Sequence, residues 1–159
     1  MKTTTLFGIL ISLIGAAFNA QAAPKSSASF EKALDDAQMI ASLNPAWSVH
    51  RTSGDSMDDY FGDNSLILVQ PATLADVQVG MMIVYRSTGG ELISHKVVQH
   101  DGEGVRTQGV SNRNLDPEPV TDDRIVGIIF AVFHAADAPA GEVHASDGQP
   151  IPTALCKNY

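Results

Sequence analysis

Cysteine is almost missing from this chain: Cys156 is the only one in 159 residues. An intramolecular disulfide is therefore excluded, whatever the redox compartment, and no His/Cys cluster with zinc-site spacing is present. Positive charge is scarce as well. Ten lysines and arginines stand against eighteen aspartates and glutamates, giving a formal charge of −8 at neutral pH, and the cations do not cluster. Nucleic-acid binding needs cations set against phosphates, so no nucleic-acid partner is expected. The apolar run "LFGILISLIGAAF", Leu6–Phe18, falls short of the roughly 20 residues that span a bilayer. Internal repeats are absent too, and neither a metal nor a cofactor is expected.

What is present at the start has the order of a secretory leader. Lys2 supplies the positive end, Leu6–Phe18 the apolar stretch, and Ala20 and Ala22 in "NAQA" the small residues of an Ala-x-Ala cleavage site. Residues 1–22 are read as a signal peptide cut after Ala22, which predicts export to a periplasmic or extracellular location. An uncleaved segment would instead anchor the protein at a membrane.

Residues 23–46 are expected to form a helical segment. In "SSASFEKALDDAQMIASLN" the apolar residues Phe30, Leu34, Met39, Ile40 and Leu43 recur at helical spacing, with Ser29 as a candidate cap. From residue 47 the texture changes. "SLILVQ" (65–70), "MMIVYR" (81–86), "ELISHKVVQH" (91–100), "GVRTQG" (104–109) and "RIVGIIFAVF" (124–133) are short, apolar and rich in β-branched residues. Gly, Asp and Asn separate them, and "DGEG" (101–104) reads as a hairpin turn. The pattern predicts a small, mainly β, mostly antiparallel domain over 47–134, barrel-like, with one short N-terminal helix. Residues 135–159, rich in Ala, Gly and Pro, are read as a flexible tail, with Cys156 an incidental thiol and His134 and His144 solvated.

The stretch "TSGDSMD" (52–58) places Ser56 after a glycine. A hydroxyl is a poor nucleophile unless a base takes its proton, and the chain offers His50, His95, Lys96 and His100. His95 and Lys96 are neighbours in one predicted strand, so they point to opposite faces and only one can serve Ser56. His95 shares its face with Ile93 and Val97. On residue chemistry alone, the plainer reading is a strand histidine satisfied by a backbone carbonyl. The third member of a triad would be an acid that fixes the imidazole tautomer. Candidates are Asp55, Asp58, Asp59, Asp63, Asp101, Asp116, Asp122 and Asp123, and chemistry alone does not single one out.

The ordered set "SGDSM", "GDNSLILV", "VQVGMMIVYR", "SHKVV", "TQGVSNRNLD" and "RIVGIIFAV" resembles the signal peptidase I superfamily from Ser53 to Phe133. That family has a nucleophile loop ending in Ser-Met, a Gly-Asp before a strand, a strand bearing the general base, and a following loop with an aspartate. One branch uses lysine as base; the endoplasmic-reticulum and archaeal branch uses histidine in a "His-Arg-Val-Val" strand. "SHKVV" is similar to the histidine branch, with Lys96 in place of the arginine. The resemblance implies Ser56 as nucleophile, His95 as general base and Asp116 as orienting acid. It also implies a serine endopeptidase whose partners are peptides or exported proteins with leader-like segments. Three positions depart from the pattern: Asp55 precedes the nucleophile, as in repressor-like proteases, and Met81 and Val110 replace supporting acids. Two alternatives follow, a peptide-binding β-domain that no longer cuts and a Ser-Lys peptidase using Lys96.

Overall fold

The computed structural model describes Pro24 and residues 26–159. The expected leader, residues 1–22, lies outside them. Among the described residues no helix is long and apolar enough to cross a membrane.

The β-branched runs become strands, as their spacing predicts. A helix, α1 (Phe30–Ala41), precedes β1 (Ser48–Gly54), β2 (Ser65–Gln70), β3 (Met82–Arg86), β4 (Leu92–His100), β5 (Val105–Gln108), β6 (Ile125–His134) and β7 (Thr153–Cys156). Strand order is β3-β6-β2-β1-β7-β4-β5, and a further β3–β4 pairing closes six strands into a barrel with β5 outside it. The fold is thus a small, mainly β domain with one helix. The "DGEG" hairpin joins β4 to β5, with Asp101 Oδ1 accepting from the Glu103 and Gly104 amides at 2.9 and 2.8 Å.

Strand alternation sorts the core. Ile67 and Val69 of β2 face the barrel interior with Val84, Ile129, Ala154 and Cys156, while Leu66 and Leu68 turn outward to α1. A third cluster covers the outer face of β3, β4 and β5 with Ile83, Tyr85, Ile93, Val97 and Val105. That face carries His95.

One expectation is corrected. Residues 135–159 do not form a flexible tail. Thr153–Cys156 is a barrel strand, with Ala154 and Cys156 buried inside, and Ile151 and Ala135 pack beneath α1. A sequence rich in Ala and Pro gains order here because two open strand edges, β1 and β4, supply its backbone hydrogen-bond partners. His134 likewise ends β6, half-buried, with its Nδ1 3.1 Å from Ser65 Oγ. The expected helix forms as α1. Ser29 caps it, accepting from the Lys32 amide at 3.2 Å, but the buried stripe is Phe30, Ala33 and Ala37. Met39 and Leu43 are 64% and 73% exposed. Alanine on the inner face lets the helix approach the sheet closely, and the larger residues are left outside.

His50 on β1 is buried, with Nε2 2.9 Å from Ser48 Oγ and Nδ1 unpartnered. Burial, then the nearby Arg86 charge, lowers it from 6.5 to about 4. The fold therefore holds the neutral ring, whereas the unfolded chain takes up a proton below pH 6.5. Stability is complete above that pH and drains away as pH falls toward 4, by about 3 kcal/mol from this residue. Urea unfolding at pH 7 and pH 4.5 should show a smaller acid loss in His50→Gln than in the wild type; equal losses would contradict this origin.

Candidate active site

The loop that carries Ser56 begins where β1 ends. Gly54 has φ +105°, a conformation costly for other residues, and a Cβ there would lie 2.2 Å from the Cys156 carbonyl oxygen. Asp63 fixes this exit, its Oδ1 accepting from the Gly54 amide at 2.9 Å and from Ser53 Oγ at 3.0 Å. Met57 and Phe61, fully buried in the barrel interior, anchor the turn that follows. Ser56 stands between these constraints. Its carbonyl accepts from the Ser111 amide at 2.9 Å. Gly109 approaches so closely that a Cβ would come within 2.6 Å of Ser56 Cβ.

His95 meets Ser56 from β4. Its Nε2 is 2.9 Å from Ser56 Oγ, and its Nδ1 is 2.7 and 2.9 Å from the two oxygens of Asp116. Ser56 and His95 are 0% exposed and Asp116 is 1% exposed. An ionised carboxylate can only accept, so Nδ1 carries the ring proton and Nε2 is left to accept the serine hydroxyl.

Asp116 is held on every side. Its amide donates to the Thr107 carbonyl at 2.8 Å, and its own carbonyl accepts from Arg106 Nη2 at 2.8 Å. The carboxylate accepts from Tyr85 Oη at 2.7 Å and Thr107 Oγ1 at 2.5 Å as well as from His95. Burial pushes its titration upward, but the hydrogen bond from His95, the charge of that ring whenever it is protonated, and the two hydroxyls outweigh that and hold it below the usual carboxylate value. Tyr85 moves the other way, raised by its burial and then by Asp116, and so keeps the proton it donates.

The three residues proposed from the resemblance are therefore brought together. The other base candidates are not. Lys96 points to the opposite face of β4, its Nζ 5.6 Å from the centre of the Tyr60 ring. His50 bonds Ser48, and His100 lies exposed at the far end of β4. The remaining acids have other work or lie outside: Asp63 holds Gly54, Asp101 shapes the hairpin, and Asp55 accepts from Asn158. The sequence pointed to no role for Tyr85, Thr107 or Gly109, and to Asp63 only as one of eight candidate acids. Tyr85 and Thr107 did lie inside quoted blocks, "MMIVYR" and "TQG", yet only the folded register shows that both aim at Asp116.

No protein-family model matches the chain, and no curated protein does. The chemistry has to be argued from the geometry. Among the described residues no group of three or more His, Cys, Asp or Glu is arranged to hold a metal ion. What the site offers is a hydroxyl bonded to a neutral imidazole that is oriented by a buried carboxylate.

Proposed function

We propose that the protein is an exported serine endopeptidase of the signal peptidase I type, cutting extended leader-like segments of exported proteins. The observation that carries this reading is the unbroken hydrogen-bonded path from Ser56 Oγ through His95 to Asp116. Three elements far apart in sequence converge to make it.

In this reading Ser56 Oγ attacks the scissile carbonyl as His95 Nε2 takes its proton. The Ser56 backbone N–H donates to the oxyanion. The imidazolium, stabilised by Asp116, then returns the proton to the leaving amine, and water repeats the sequence to free the acyl group. Resemblance supplies the substrate preference, small residues before the cut, and the expected leader supplies the compartment.

A serine-directed acylating probe should modify Ser56, and an Ala-x-Ala peptide should be cut; Ser56→Ala should lose both. Wild type and Ser56→Ala behaving alike would end the enzymatic reading. One observation favours the second reading, a β-domain that binds peptides without cutting: Ser56 is fully covered. What covers it bears on both readings.

A further inference from the structure

A peptidase must admit a peptide to its serine, and here no path is open. Besides Gly109, which packs on Ser56 itself, the chain's own last described segment lies against the site. β7 lies between β1, which leads into the nucleophile loop, and β4, which carries His95. Its register sets Arg51 against Thr153 and Gly54 against Cys156 on one side, and Ile93 against Leu155 on the other. Both pairings are parallel, whereas every other strand pairing of the sheet is antiparallel. Beyond the strand the backbone passes over the triad. The Lys157 carbonyl accepts from Asn112 Nδ2 at 2.9 Å, Asn158 Nδ2 donates to Asp55 Oδ1 at 2.6 Å, and the Tyr159 ring stands edge-on to His95 with centroids 6.1 Å apart. Asp55 is the residue just before the nucleophile.

The attachment is stronger in the strand than beyond it. Ala154 and Cys156 are buried in the barrel interior, but the Lys157–Glu91 ion pair at 2.6 Å is half exposed on both sides, a setting in which ion pairs hold weakly. A cavity of 220 Å³ already lies beside Asp116, walled by Tyr85, Glu91, Arg124, Lys157 and Tyr159.

We propose that Thr153–Tyr159 is an autoinhibitory strand: it fills in cis a slot between β1 and β4 that accepts an extended peptide, and its end, residues 157–159, must lift before a substrate reaches Ser56. Its effect on catalysis rests on the peptidase reading; the strand exchange itself does not. The ligand class follows from the occupant. A parallel, extended segment satisfies the β1 and β4 edges, and side chains two residues apart that enter the barrel must be as small as Ala154 and Cys156. Asp55 takes an amide donor just past them.

Two measurements test this. A chain ending at Cys156 should react with the acylating probe about tenfold faster than the full chain, because the competent fraction rises as the cover is removed. Equal, measurable rates in the two chains would overturn the proposal. The second measurement uses the full chain and needs no catalysis. Cys156 is the only cysteine, and burial, then Asp63, Asp58 and Asp55, push its thiol up to about 12, so it reacts slowly while β7 is seated. The synthetic peptide PIPTALSKNY, the sequence of 150–159 with serine for cysteine, should displace β7 and speed modification of Cys156 by a thiol reagent in a saturable way. No effect of the peptide would overturn the proposal. If the peptide exposes Cys156 while Ser56 never takes the probe, the exchangeable strand stands and the peptidase reading falls.

Discussion

His95→Ala should lower kcat/KM for an Ala-x-Ala peptide by about 10^5-fold, as far as Ser56→Ala does, because members of such a triad act as a unit. The reason is visible in the contacts of Ser56 Oγ. Among the described residues its one side-chain partner is His95 Nε2, at 2.9 Å, so removing the ring takes away the group placed to accept its proton. Lys96→Ala, by contrast, should change the rate by no more than a few fold. Strand alternation puts Lys96 on the other face of β4, with its ammonium over Tyr60. The pair of variants separates the two kinds of base within one strand. An active His95→Ala beside a dead Lys96→Ala would mean that the wrong neighbour has been chosen.

Asp116→Asn should cost about 10^4-fold in kcat while the barrel remains folded. The carboxamide keeps one acceptor oxygen for the Tyr85 and Thr107 hydroxyls, but it presents an N–H₂ to the imidazole. That donor would require an unprotonated Nδ1, which moves the ring proton to Nε2. The nitrogen that should accept the serine proton would then be a donor itself. Tyr85→Phe is the informative companion. It removes one of the hydroxyls that fix Asp116 yet leaves the tautomer unchanged, so the rate should fall only about tenfold, the scale of one hydrogen bond to a charged group. If both variants lowered the rate equally, Asp116 would be acting through the integrity of its loop rather than through the proton on His95. Steady-state kinetics with far-UV circular dichroism on each variant would decide it.

The strands β2 to β6 were legible because they are continuous β-branched runs between turn residues, and such runs have few other ways to bury themselves. β7 was not. "TALC" is four residues with one β-branched side chain, and what makes it a strand is the pair of edges it meets, which no local pattern records. The helix was legible as a helix but not in its orientation. Periodicity counts Met39 and Leu43 as apolar, whereas packing favours Ala33 and Ala37 against the sheet. At the site, alternation showed that only one of His95 and Lys96 could serve Ser56, but it was the resemblance that chose His95. Asp116 could not be told from seven other aspartates until the resemblance chose it, and its distinguishing feature, the hydroxyls of Tyr85 and Thr107, exists only in the folded register.

The parallel placement of β7 also constrains how the chain acquires its structure. Arg51 and Thr153 are register partners although they lie about a hundred residues apart in sequence, a high contact order that slows the search for the native pairing. As the polypeptide emerges from its N-terminal end, β1 to β6 can assemble while the β1 and β4 edges still await their neighbour. Until Thr153–Cys156 arrives, the barrel is a split cylinder with two unsatisfied edges, the condition in which strands recruit other chains. The newly made protein is thus exposed to edge-to-edge association in the interval just before β7 is delivered.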